Sequence, residues 1–289
     1  MTIKEKGYAH WDGKLEERRF NWWPITRLGI SLTFKKKFFK FTFLVSLLPA
    51  LIYLVGIYIA ERIEDFPFIE SGQADFLKTN PGYFYSYFTQ GSLLFIMIAI
   101  LIFSGSGLIS DDLKHNALQL YFSRPIKKSE YFLGKISTIF FFIFILTLVP
   151  GIVFLLMKFL FAGNFRFFVQ YPWLPLSICA YSVIIAVFLG LYTLFLSSLS
   201  TNRRYVGILI FAVYFFTDIL FGIFNSIFHN QYFVLFSIRW NLKQVGAAFF
   251  QQKGHYDVPW ILSLLVLTVI CGLAVLVLHK RVRGVEVIK

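Results

Sequence analysis

Cysteine is nearly missing from this chain. Its two residues, Cys179 and Cys271, lie far apart inside apolar runs. A disulfide framework needs more cysteines in a short secreted chain, so that class is excluded and both read as small buried side chains. Charge is almost as scarce: Asp, Glu, Lys and Arg make up 15% of 289 residues, where soluble domains carry about 25%. With 57% hydrophobic residues, a soluble globule could not hide its apolar surface and a disordered chain could not stay solvated. Acidic residues are the scarcer charges, 15 against 28 Lys and Arg, which leaves a formal charge of +13. A nucleotide-binding glycine pattern is missing too. Gly134-Lys135 is followed by Ile136, and Ser129 stands where a P-loop has its first glycine, so no ATP site of that kind is expected. The histidines (His10, His115, His229, His255, His279) have no spacing that builds a metal site, and no cofactor is expected.

What the chain does have is apolar length. Mean hydropathy is +0.69, and a helix needs about 20 apolar residues to cross about 30 Å of hydrocarbon. Six runs qualify: Phe41–Ala60, Thr89–Ile109, Ile136–Met157, Trp173–Ser200, Tyr205–Phe228 and Val258–His279. Pro150 and Gly151 predict a kink near the far end of the third. The expected fold is an all-α integral membrane protein with six transmembrane helices. Residues 1–40 form a cytoplasmic N-terminal segment, 41–279 the membrane domain and 280–289 a basic tail. The densely charged start, Met1 to Phe20, is not a cleavable signal peptide.

The connections alternate in charge. Residues 1–40, 110–135, the Arg203-Arg204 pair and the tail after His279 hold 21 of the 28 Lys and Arg, and the other three connections hold seven. The positive-inside rule therefore puts both termini in the cytoplasm. The expected location is a plasma membrane, the inner membrane of a bacterium. The excess charge records orientation, with attraction to anionic lipid, and no nucleic-acid partner is expected.

Two segments are expected to lie along the membrane. Trp11, Phe20, Trp22 and Trp23 sit among Arg18, Arg19 and Arg27, with Pro24 breaking the run, as in an amphipathic interfacial helix. On the outer side, Tyr232–Phe250 mixes aromatics with single charges and reads as an interfacial or re-entrant helix. Tyr83, Phe84, Tyr85, Tyr87 and Phe88 read as an aromatic belt. The run Ser104-Gly105-Ser106-Gly107 permits close helix packing. An intramembrane serine protease would need an intramembrane histidine near its serine, and His279 lies at a span's mouth. Lys158 is explained by snorkelling. Asp218 is the only ionisable residue well inside a span. It is a candidate for binding a cation, a proton or a cationic substrate, or for hydrogen bonding to a neighbouring helix near Thr217 or Asn225.

The most informative stretch is Ser110–Lys135. Ser110 or Asp111 is placed to N-cap a short helix. Leu113, Ala117, Leu120 and Tyr121 then recur at i, i+4, i+7 and i+8, giving one apolar face. Pro125 stops it, and Ser129 is placed to cap the third span. The stretch is expected to form a short amphipathic cytoplasmic helix between two spans.

Here the residues resemble a known family. Gly107-Leu108-Ile109-Ser110-Asp111-Asp112, the amphipathic helix, Ser123-Arg124-Pro125-Ile126, Glu130-Tyr131 and Leu133-Gly134-Lys135 together resemble the membrane (permease) subunit of ABC-2 type transporters. The N-terminal tryptophan and basic stretch and the span count extend the resemblance over nearly the whole chain. It implies a half-transporter: two membrane subunits, identical or different, form the translocation path of an exporter and pair with two separate ATP-binding cassette ATPase subunits. It implies a coupling helix docked in a groove of the ATPase, with Asp111, Asp112, Leu113, Leu118, Arg124 and Pro125 in or beside it. Arg124 would pair with an acidic site on the ATPase, and Pro125 would set the exit direction. The chain itself would then be no enzyme. Two other readings stay open: a membrane scaffold or assembly subunit docking through the same helix, and an ion-coupled secondary transporter using Asp218.

Overall fold

The computed structural model describes residues 20–62, 79–122, 126–163 and 165–282, and among them every regular element is helical. Six helical spans are long and apolar enough to cross a membrane: Lys37–Glu61, Gly91–Lys114, Lys128–Ala162, Leu174–Leu199, Arg203–Phe228 and Trp260–Arg281. They coincide with the six predicted runs. The first three extend well past the apolar residues, because a helix continues wherever its backbone bonds can be made, in hydrocarbon or out of it.

Helix α1 (Trp22–Phe34) precedes the first span, which is α2 (Lys37–Ser46) and α3 (Leu48–Glu61). A short α4 (Pro81–Thr89) leads into the second span, α5 (Gly91–Gly105) and α6 (Gly107–Lys114), and α7 (Ala117–Phe122) follows. The third span is α8 (Lys128–Leu146) and α9 (Leu148–Ala162), followed by α10 (Arg166–Gln170). Helices α11 (Leu174–Leu199) and α12 (Arg203–Phe228) are the fourth and fifth spans. A 3₁₀ helix (Gln231–Phe236), α13 (Ile238–Phe249) and the sixth span α14 (Trp260–Arg281) complete the order.

Proline accounts for two of the three broken spans. Pro49 has no N–H for the carbonyl of Val45, and the first span breaks at Leu47. Pro150 has none for Leu146, and the predicted kink falls at Thr147 (φ −123°, ψ −68°), three residues ahead of the proline. The second span breaks at Ser106 between two glycines. A Cβ on Gly105 would overlap Thr193 Cγ2, so the small residues do bring the second and fourth spans together. The hydroxyls of Ser104 and Ser106 bond carbonyls one turn back, at 2.8 and 2.6 Å, which occupies both donors within the helix.

Spans two to four form the core. Of their apolar stretches 61%, 50% and 56% is buried inside the protein, against 22%, 28% and 22% for spans one, five and six. The outward faces of those three present large apolar side chains such as Leu51, Ile208 and Leu276. Lipid or another chain must cover them. The cysteines correct one expectation: Cys179 is exposed and Cys271 half-buried, because an apolar run in a membrane helix faces lipid as readily as the interior.

Helix α1 forms where an interfacial helix was expected, with Pro24 inside its first turn rather than ending it. Its contacts advance in step along α8. Thr26 Oγ1 donates to the Gly134 carbonyl at 3.0 Å, a Cβ on Gly29 would meet Thr138, and Phe34 packs on Phe142 at 5.6 Å. It therefore follows the third span's direction instead of lying across it. Trp11, Arg18 and Arg19 lie outside the described residues.

At the end where spans one, three and five finish, Tyr83–Phe88 forms α4 rather than a belt. Phe84, Tyr87 and Phe88 are at most 1% exposed and pack on Phe154, Phe167, Tyr181 and Phe250. Lys158 does not simply reach for water: it pairs with Glu61 and lies over the Phe167 ring, tying the first span to the third. The segment 232–250 packs into the bundle. Gly246 of α13 seats against the Tyr181 ring, and Tyr181 Oη donates to the Leu242 carbonyl at 2.7 Å, inside the bundle.

Candidate functional site

The break at Ser106 sets up the polar centre of the molecule. A helix that starts afresh at Gly107 leaves its first N–H groups without carbonyl partners. Ser197, in the last turn of the fourth span, supplies the missing acceptor. Its Oγ accepts from the N–H groups of Ile109 and Ser110, both at 3.1 Å, and donates to the Ser106 carbonyl at 2.9 Å. One fully buried hydroxyl thus caps a helix from another span and fixes α6 on α11.

The predicted residues Asp111 and Asp112 sit on this anchored helix and point to different partners. Asp112 Oδ2 lies 2.6 Å from Lys135 Nζ and accepts from Tyr131 Oη at 2.7 Å, so α6 is strapped to the third span. The ammonium of Lys135 is flanked by the rings of Tyr121 and Tyr131, at 5.6 and 5.4 Å. Burial, with Asp112 close by, pushes the Tyr121 phenol above its ordinary range. Asp111 makes only a loose pair with Arg203, at 3.9 Å, on a partly exposed surface. Lys36 Nζ donates to the Phe103 carbonyl at 2.7 Å. Its ammonium is held below the usual lysine range by burial first and by Arg203 second, with Asp111 opposing.

The segment after α6 departs from the expected single helix. Ser110 and Asp111 are inside α6, not its caps, because the second span's helix restarts at Gly107. Asn116 then takes a left-handed conformation (φ 52°) and α7 begins at Ala117. That turn rotates the register. Leu118 is buried, at 7% exposure, and Leu120, expected on the apolar face, is 65% exposed. Leu113 and Tyr121 are half-buried. Lys114, His115, Asn116, Gln119 and Leu120 form the outward surface. Arg124 and Pro125 lie outside the described residues. The third span is capped by Glu130, which accepts from the Lys127 N–H at 2.9 Å, while Ser129 sits within the helix.

Asp218 belongs to a separate place, about 22 Å along α12 from Arg203 at 1.5 Å per residue. It is not a free carboxylate. Arg239 Nη2 lies 2.7 Å from Oδ2, and Ser237 Oγ donates to Oδ1 at 2.6 Å. Neither Thr217 nor Asn225 is its partner; Thr217 Oγ1 accepts instead from the Ile238 N–H at 3.5 Å. The pair holds the start of α13 against the fifth span.

Sequence reasoning did not single out Ser197, Lys36 or Arg203. Ser197-Ser198 is an ordinary small-residue pair in an apolar run, and its value comes from a helix break 91 residues away. Lys135 was visible as part of the Leu133-Gly134-Lys135 pattern, but not as the partner of Asp112.

Among the described residues, an all-helical bundle with six apolar spans defines a polytopic membrane protein. The model of the ABC-2 family transporter protein matches residues 33–218. The match takes in the first five spans up to Asp218 and the whole α5–α8 segment, and the chain belongs to that family. A comparison with curated proteins finds no match.

Proposed function

We propose that this chain is the membrane-spanning subunit of an ATP-driven exporter. It forms the translocation path with a second membrane subunit, identical or different, and takes its energy from separate ATP-binding cassette ATPase subunits. Both termini and the α6–α7 segment face the cytoplasm, as the distribution of Lys and Arg requires. Residues 1–40 are then the cytoplasmic N-terminal segment, 41–279 the membrane domain and 280–289 a basic cytoplasmic tail.

One observation carries this reading. The α6–α7 segment is bound on its inner side to three spans, through Ser197, Lys135 with Tyr131, and Arg203, while Lys114, His115, Gln119 and Leu120 stand exposed on its outer side. A push on the outer side is transmitted to the second, third, fourth and fifth spans together. Asp112 and Leu118 serve as internal struts of this coupling element. Leu120, Lys114, His115 and Gln119 offer the docking face, Asp111 and Leu113 flank it, and Arg124 and Pro125 follow. The ion-coupled alternative draws on Asp218, whose charge is already matched by Arg239.

The test is co-expression of the full chain with an ATP-binding cassette subunit, followed by purification and reconstitution. The expected result is a stable complex whose hydrolysis is stimulated by the membrane subunit, with Leu120→Asp lowering that stimulation roughly tenfold, as loss of a docking anchor does. A complex that does not form, or hydrolysis indifferent to the membrane chain, overturns the reading in favour of a scaffold.

A further inference from the structure

An apolar groove of about 470 Å³ opens outward between the second and fifth spans, beside Lys36 at the head of the first. Ile102 and Phe103 of α5 form one wall, and Gly207, Ile208 and Phe211 of α12 the other; Lys36, Arg203 and Arg204 ring the mouth. Gly207 makes the close approach possible, since a Cβ there would stand 3.1 Å from Ile102 Cγ2. The ring of Phe38 lies 5.4 Å from that of Phe103. Ile208 is 64% and Phe211 43% exposed, so the groove opens toward the surroundings of the bundle.

The charges at the mouth are unbalanced. Three cations meet there with Asp111 as the nearby carboxylate, and Asp111 reaches Arg203 only at 3.9 Å. The apolar walls begin immediately below. From Arg204 to Phe211 the helix descends about 10 Å at 1.5 Å per residue. A cationic mouth over an apolar slot of that depth has the layout of a phospholipid, headgroup first and acyl chain after.

We propose that this groove is a binding site for an anionic phospholipid. Its phosphate lies against the exposed Arg203 and Arg204, beside Lys36, whose ammonium is already bonded to the Phe103 carbonyl, and one acyl chain lies along Ile208 and Phe211. A soluble anion would satisfy the cations and leave the walls uncovered. A second copy of the same face would set the three cations against themselves. Because Arg203 is also the partner of Asp111, a headgroup there competes for that pair, and lipid occupancy bears on the position of α6. The proposal needs only the membrane-spanning fold, not the pairing with an ATPase.

The experiment is native mass spectrometry of the full chain in detergent, titrated with dioleoylphosphatidylglycerol and, separately, dioleoylphosphatidylcholine. One phosphatidylglycerol per chain is expected to be retained with a preference of roughly thirtyfold, the effect of two cations at an anionic surface. The double variant Arg203→Gln/Arg204→Gln loses the preference, and Ile208→Trp, which fills the slot and keeps the charges, loses the bound lipid. Lys280→Gln/Arg281→Gln removes two cations of the same end elsewhere and changes neither. Thermal unfolding midpoints confirm that all variants are folded. Equal retention of the two lipids, unchanged binding in Arg203→Gln/Arg204→Gln, or full displacement by inorganic phosphate would overturn the proposal. So would an Ile208→Trp variant that changes oligomeric state without losing lipid, which would assign the groove to a second copy.

Discussion

The hydroxyl of Tyr87 donates to the carbonyl of Leu146 at 2.7 Å, and that carbonyl is the one Pro150 leaves without a helical partner. A tyrosine on α4 thus repairs a proline kink in the third span, where both residues are buried. Replacing Tyr87 by Phe keeps the ring packing and removes only the donor. Stability should fall by about 1–3 kcal/mol, the cost of a buried acceptor left unmade. In a Pro150→Ala background the helix regains its own N–H, and the same substitution should cost clearly less. Chemical denaturation in mixed micelles, run as a double-mutant cycle, measures the difference. Equal costs in both backgrounds would show that the bond and the kink are unrelated.

Ser197 holds two amide groups that belong to another helix. Ser197→Ala should expose the N–H groups of Ile109 and Ser110 to opening, with hydrogen exchange at those two amides accelerated by roughly ten- to hundredfold. Amides in the core of α11 should keep their protection. If exchange at Ile109 and Ser110 is unchanged, α6 is anchored by other contacts.

Asp218 and Arg239 test whether an intramembrane carboxylate is a transport group or a structural one. Asp218→Asn leaves Arg239 unpaired and should lower stability by about 2 kcal/mol, toward the low end because both side chains keep some exposure. Adding Arg239→Gln should restore part of the loss. Transport by the double variant, compared with the wild-type chain, then decides the question: a structural pair survives joint neutralisation, whereas a coupled-ion site does not.

Lys36 carries a pH dependence. Its folded-state pKa is depressed by burial and by Arg203, so the folded protein binds this proton less tightly than the unfolded chain does. The penalty is present in full at pH values below the folded pKa. It is relieved as pH rises toward the ordinary lysine value, so stability should increase over that alkaline interval. Lys36→Met should remove this increment and raise stability at neutral pH. Denaturation midpoints between neutral and alkaline pH, with and without the substitution, check the sign.

Much of this was legible without coordinates. Each span announces itself by a continuous apolar run, since backbone groups in hydrocarbon must bond within their own helix. The Pro150 kink follows from one missing N–H. The family resemblance rests on residues 107–135, and the family match spans that segment. The side chains that organise the segment were not legible, because nothing in an apolar run distinguishes Ser197 from Ser198. Periodicity misplaced Leu120 because it assumes an unbroken helix, and one left-handed residue, Asn116, resets the phase.

By itself, then, the sequence determined that this chain crosses a membrane six times and where its positive charge collects. Both follow from properties that add up locally, residue by residue. Only the tertiary structure decided that Asp112 is consumed by Lys135, that Asp218 is neutralised by Arg239, and that Lys36 and Arg203 face one groove. Those pairings join residues far apart in sequence. They depend on how helices turn about their axes as they pack, which no local pattern specifies.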